Sequence, residues 1–100
     1  MIVSRHADER TRKRVGVPRS AVKRMAAKAM SDGITRYDTH GPLRRYLDAL
    51  YHYNGSANNI RVYAEKVWVF SDHTLITVLD LPRKYRTRAN SIAKKEDADD

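Results

Sequence analysis

At Asn59 the spacing of apolar residues changes from helical to alternating, and that switch restricts the chain to a mixed helix-and-sheet fold. Residues 60–64, 67–70 and 75–81 read as three strands. The gaps between them are short enough for hairpins, which predicts an antiparallel meander. The second strand is apolar on both sides, with Val67 and Val69 alternating with Trp68 and Phe70. The third places Leu75 and Leu79 opposite Ile76 and Val78. Strands of this kind need cover on both faces. Helices can cover one face. The other needs the third helix, the C-terminal segment or a second copy of the chain.

The first half supplies the helices. Ser4 is placed to cap a helix running to about Arg14, with Asp8 and Glu9 in its early turns. Gly16 breaks it and Pro18 suits the first turn of a second helix. Val22, Met25, Ala26, Ala29 and Met30 follow helical spacing up to a stop at Gly33. Residues 34–40 read as a loop or a short extended piece. Gly41 and Pro42 open a third helix with the stripe Leu43, Tyr46, Leu47, Leu50 and Tyr51, ended at Asn54-Gly55-Ser56. The expected architecture is α+β: two or three N-terminal helices packed on a three- to four-stranded antiparallel sheet. At 100 residues the chain is one domain. We expect its compact part over residues 1–82, with residues 83–100 as a basic and then acidic tail, partly disordered.

Charge narrows the function. There are 20 Lys and Arg against 12 Asp and Glu, a formal charge of +8. Residues 1–50 hold 12 of those cations and 5 of the acids, so the positive surface belongs mainly to the first half. Such a field attracts phosphate backbones. The expected contacts are Arg12, Lys13 and Arg14 on the first helix and Lys23, Arg24 and Lys28 on the second. Beyond the sheet, Arg83, Lys84, Arg86 and Arg88 can follow a backbone while Tyr85 stacks on a base. The bland alternatives are a solvated helix face and a flexible linker.

Other classes recede. The chain has no cysteine, hence no disulfide and no thiolate metal site. His6, His40, His52 and His73 are scattered without ligand spacing, so neither a metal nor a cofactor is expected. There is no glycine-rich phosphate loop. No apolar run approaches the ~20 residues of a membrane span, and the start lacks an apolar signal core. A cytoplasmic protein without membrane partners is expected.

His6 and Arg10 are four apart and share one helix face. Histidine can move a proton near neutral pH, and the arginine fork fits phosphate. Metal-independent RNA cleavage needs both parts. The structural alternative is a histidine packed under the sheet and an arginine paired with Asp8 or Glu9. Arg61 shares a strand face with Tyr63. Thr77 is either a plain strand former or a hydroxyl aimed at phosphate.

The opening Ser4-x-His6-Ala7-x-x-Arg10, the turn Arg14-Val15-Gly16-Val17-Pro18 and the closing strand Leu75-Ile76-Thr77-Val78-Leu79 resemble the RelE-like group of the barnase–EndoU–colicin–RelE superfold. These are compact ribonucleases and toxins, and the resemblance covers roughly residues 4–81. It implies an RNA-cutting site on the sheet, with His6 as the proton-transfer group, Arg10 and Arg61 holding the scissile phosphate and Thr77 orienting it. RNA is then favoured over DNA. Two alternatives stand beside it. One is a non-enzymatic regulator or inhibitor from a phage, plasmid or other mobile element that binds nucleic acid or nucleoprotein. The other is an interaction module that meets a protein partner, or a second copy of itself, through the sheet.

Overall fold

Ser4 starts the first helix as its side chain allows: the hydroxyl accepts from the Ala7 N–H at 3.1 Å. The structure, a computed structural model, describes residues 2–53, 55 and 57–99, with backbone alone at residues 6, 10, 11, 14, 19 and 95–99. Asn54 and Ser56 lie outside the described residues.

In chain order the elements are β1 (Ile2–Val3), α1 (Arg5–Val15), α2 (Arg19–Asp32), β2 (Ile34–Thr35), a 3-10 turn (Arg36–Asp38), α3 (Gly41–Tyr53), β3 (Asn59–Tyr63), β4 (Lys66–Ser71), β5 (Thr74–Asp80) and α4 (Arg83–Asp99). Gly16 closes α1 at a φ of 71°, a left-handed cap that glycine adopts at little cost. Gly33 closes α2, its N–H donating to the Ala29 carbonyl at 2.9 Å.

The fold is α+β, and the expected meander β3-β4-β5 is its centre. The sheet is larger and more mixed than expected, with five strands in the order β1-β5-β4-β3-β2. β1 pairs with β5 in parallel, and β2 pairs with β3 antiparallel. Each added strand is two residues long, too short to leave a period in the sequence. Short edge strands also offer little template for foreign pairing.

Residues opposite each other in an antiparallel ladder put their side chains on the same face. The rows Ile60–Val69–Thr77 and Val62–Val67–Leu79 therefore form one face, and the row Arg61–Trp68–Val78 the other. The first face packs with Leu43 and Leu47 of α3 and Ala89 of α4. Trp68, Phe70, Leu75 and Val78 pack with Ala7 of α1 and with Ala26 and Ala29 of α2. The molecule is a three-layer sandwich, helices on both sides of the sheet. Small alanines let α1 and α2 approach closely over the buried indole of Trp68, whose Nε1 donates to the Tyr63 carbonyl at 2.9 Å.

Two expectations change here. The segment after the sheet, expected as a tail, is the helix α4. Pro82 ends the sheet, but proline is equally suited to the start of a helix. Tyr85, Ala89, Ile92 and Ala93 then recur at helical spacing and pack on the α3 side of the core. With α3 and α4 covering that face, the apolar reason for pairing two chains through the sheet is met within one chain. Among the described residues, no helix is long and apolar enough to cross a membrane.

Ala64 and Glu65 join β3 to β4 with φ of 52° and 60°. Two left-handed residues match the turn preferred by two-residue hairpins, but alanine and glutamate are strained there. Ala64→Asn combined with Glu65→Gly is expected to raise the unfolding free energy by about 1 kcal/mol. A urea midpoint that stays put or falls would contradict this.

Candidate nucleic-acid interface

Lysine and arginine stems lie along a helix while their heads stay in water, so a helix packed by its alanines presents its cations outward. This is the arrangement of α1 and α2. Their buried contacts come from Ala7, Ala21, Val22, Ala26 and Ala29, whereas Arg5, Arg12, Lys13, Lys23, Arg24 and Lys28 are exposed. Residues 1–33 hold nine Lys and Arg against three Asp and Glu. One acid is already engaged, since Asp8 pairs with Arg12 at 3.5 Å across one helical turn. The Arg14 side chain lies outside the described residues.

The cations of α4 sit on the other side of the sheet. Arg83, Lys84 and Arg88 are exposed there. Arg86 is half-buried and donates from Nε to the Leu81 carbonyl at 3.0 Å. Tyr85 packs its ring on Tyr46, with centroids 5.2 Å apart. Burial and the neighbouring Tyr85 hydroxyl push the Tyr46 phenol above its ordinary value. Tyr85 is thus part of the core edge rather than a free stacking surface. The basic residues of α1 and α2 and those of α4 thus form two surfaces, separated by the sheet.

Of the four residues expected to cut RNA, Arg61 and Thr77 lie on opposite faces of the sheet. His6 and Arg10 belong to α1, one turn apart, and their side chains lie outside the described residues. Arg61 lies on the same side of the sheet as α1 and α2. Its Nη1 donates to the Gly33 carbonyl at 2.8 Å and its Nε to Asn59 Oδ1 at 3.1 Å. It therefore caps the C-terminal end of α2, where a cation is favoured. The approach is close: a Cβ at residue 33 would lie 3.0 Å from the Arg61 Cβ and 2.4 Å from the Ala29 carbonyl oxygen.

Thr77 is on the opposite face. A register shift between Val69 and Phe70 leaves Ile76 as an extra residue, so Thr77 stands opposite Val69 and Leu75 opposite Phe70. Thr77 is buried at 8% exposure, and its Oγ1 has no hydrogen-bond partner among the described residues. A hydroxyl buried without a partner costs stability. Thr77→Val is therefore expected to raise the unfolding free energy by about 1 kcal/mol without altering nucleic-acid binding. A loss of stability, or of binding, would give the hydroxyl a role.

The sequence reading missed one cluster entirely. Asp48 on α3 accepts from Arg36 Nη1 and, at 3.1 Å, from Arg44 Nε. Burial opposes the charged carboxylate, but the hydrogen bonds and positive charge of the two arginines outweigh it, so the Asp48 carboxyl lies below its ordinary value. The Arg36 guanidinium also stacks 3.8 Å from the centroid of Tyr51. Arg44 and Asp48, four apart on one helix, were a legible signal. Arg36 comes from the 3-10 turn twelve residues earlier and was not.

No family model matches the chain, and no curated protein or solved structure matches it.

Proposed function

We propose that this protein binds nucleic acid through the outer surface of α1 and α2 and holds the strand without cutting it. The observation that carries the reading is the layer of exposed cations, Arg5, Arg12 and Lys13 on one helix and Lys23, Arg24 and Lys28 on the next. Two helices side by side can follow a phosphate backbone through charge, with little dependence on base sequence. A non-catalytic role is supported by the separation of Thr77 from Arg61 across the sheet, and by the use of Arg61 as a helix cap. A site for phosphoryl chemistry needs its groups within reach of one phosphate.

The test uses purified protein with labelled RNA, single-stranded DNA and duplex DNA in EDTA, beside His6→Ala. The expected result is a mobility shift with every strand intact, equal for both proteins. RNA cleavage that His6→Ala loses would instead establish the ribonuclease implied by the RelE-like resemblance. Absence of any shift at low salt would remove the nucleic-acid reading.

A further inference from the structure

We propose that Tyr37 is a stacking platform for an unpaired base, so that the preferred ligand is a single-stranded nucleic acid whose phosphates lie against Arg36 and Arg44. The proposal rests on the nucleic-acid reading above and adds a second contact, on the 3-10 turn between β2 and α3.

Four observations converge on the 3-10 turn. Tyr37 is 74% exposed, among the largest apolar surfaces the described residues offer to water. Its backbone is nonetheless held firmly. Asp38 Oδ2 accepts from the Thr35 N–H at 2.8 Å and from the Thr35 hydroxyl at 3.0 Å. The buried Thr39 hydroxyl donates to the Arg36 carbonyl at 2.6 Å. An exposed ring on a fixed turn loses little freedom on binding, which favours its use as a contact.

The charge around the ring is the third observation. The guanidinium carbons of Arg36 and Arg44 lie 5.5 and 5.4 Å from the Tyr37 centroid. These two arginines share the single carboxylate of Asp48, so the trio keeps one positive charge beside the ring. Aromatic rings with adjoining cations are what non-specific single-strand binders use: the ring takes the base and the cation takes the phosphate.

The fourth is space. A cleft of about 580 Å³ opens beside Tyr37, lined among others by Tyr51, Asn59, Arg61 and His73. That size falls in the ordinary range for small-ligand sites. Asp72 also lines it, with its Oδ1 accepting from Asn58 Nδ2 at 2.8 Å. Its carboxylate disfavours phosphate beside it, whereas Arg36, which also lines the cleft, favours phosphate at its own side. A duplex keeps its bases stacked and offers none to the ring.

The test measures binding of wild type, Tyr37→Phe and Tyr37→Ala to a twelve-residue oligo-uridylate, the matching oligo-thymidylate and a DNA duplex of equal length. Tyr37→Ala is expected to weaken single-strand binding about tenfold or more and to leave duplex binding unchanged, while Tyr37→Phe retains both. The RNA and DNA arms show which strand supplies the base. Single-strand binding unaffected by Tyr37→Ala overturns the proposal and leaves the α1–α2 interface standing. Equal losses on duplex and single strand overturn it as well. Failure of the wild type to bind any of the three removes both.

Discussion

Replacing Lys23, Arg24 and Lys28 together by glutamine is expected to flatten the salt dependence of binding, lowering the log–log slope by about 2 to 3 for duplex DNA. Each cation that meets a phosphate releases a counterion, so three removed contacts appear as a smaller slope before anything else changes. Affinity at low salt should fall at least tenfold. All three residues are exposed, and the helix packs through Val22, Ala26 and Ala29, so the fold should be unaffected. The comparison that gives the result meaning is Arg83, Lys84 and Arg88 changed in the same way. They lie across the sheet, and their removal should alter the slope by less than half as much. Equal effects from the two sets would mean that the protein has a diffuse positive field and no interface.

Trp68→Ala should cost about 3 to 5 kcal/mol of stability. The indole is fully buried at the centre of the middle strand, beneath the alanines of α1 and α2. Its removal leaves a cavity that neither helix can fill and deprives the Tyr63 carbonyl of its donor. The ring edge also meets Tyr63, with centroids 6.5 Å apart. For a domain whose net stability is of order 5 to 15 kcal/mol, this is about a fifth of the total or more. Denaturation followed by far-UV circular dichroism avoids dependence on the lost fluorophore. A change below about 1 kcal/mol would contradict the burial of this side chain.

The parts of the fold that were legible in the sequence are those with several repeats of one period. Ser4, Gly16 and Gly33 bounded α1 and α2 through backbone chemistry that few other residues supply. Val67 to Phe70, apolar on both sides, showed that the sheet needed two covers. What covered the second face was hidden, because α4 carries its stripe of Tyr85, Ala89, Ile92 and Ala93 among six cations over residues 83–95.

The candidate site was less legible than the fold, for a specific reason. Alternation places side chains on faces only while the ladder is regular. The extra residue at Ile76 shifts the pairing, so Leu75 and Val78 share one face and Thr77 falls on the other. A motif read along β5 therefore gave no reliable position for Thr77 relative to Arg61. Likewise, the tie between Arg36 and Asp48 joins the 3-10 turn to α3, and no local spacing encodes it. The charge of the first 33 residues needed no such geometry. It lay in the composition and remained on one layer of the structure.

The most direct test of the account is the affinity of the wild-type protein for duplex DNA measured across a series of salt concentrations. The account predicts tight binding at low salt and a log–log slope of about −4 to −5, as expected for about five phosphates neutralised by α1 and α2. A slope near zero, or no binding at the lowest salt, would contradict it.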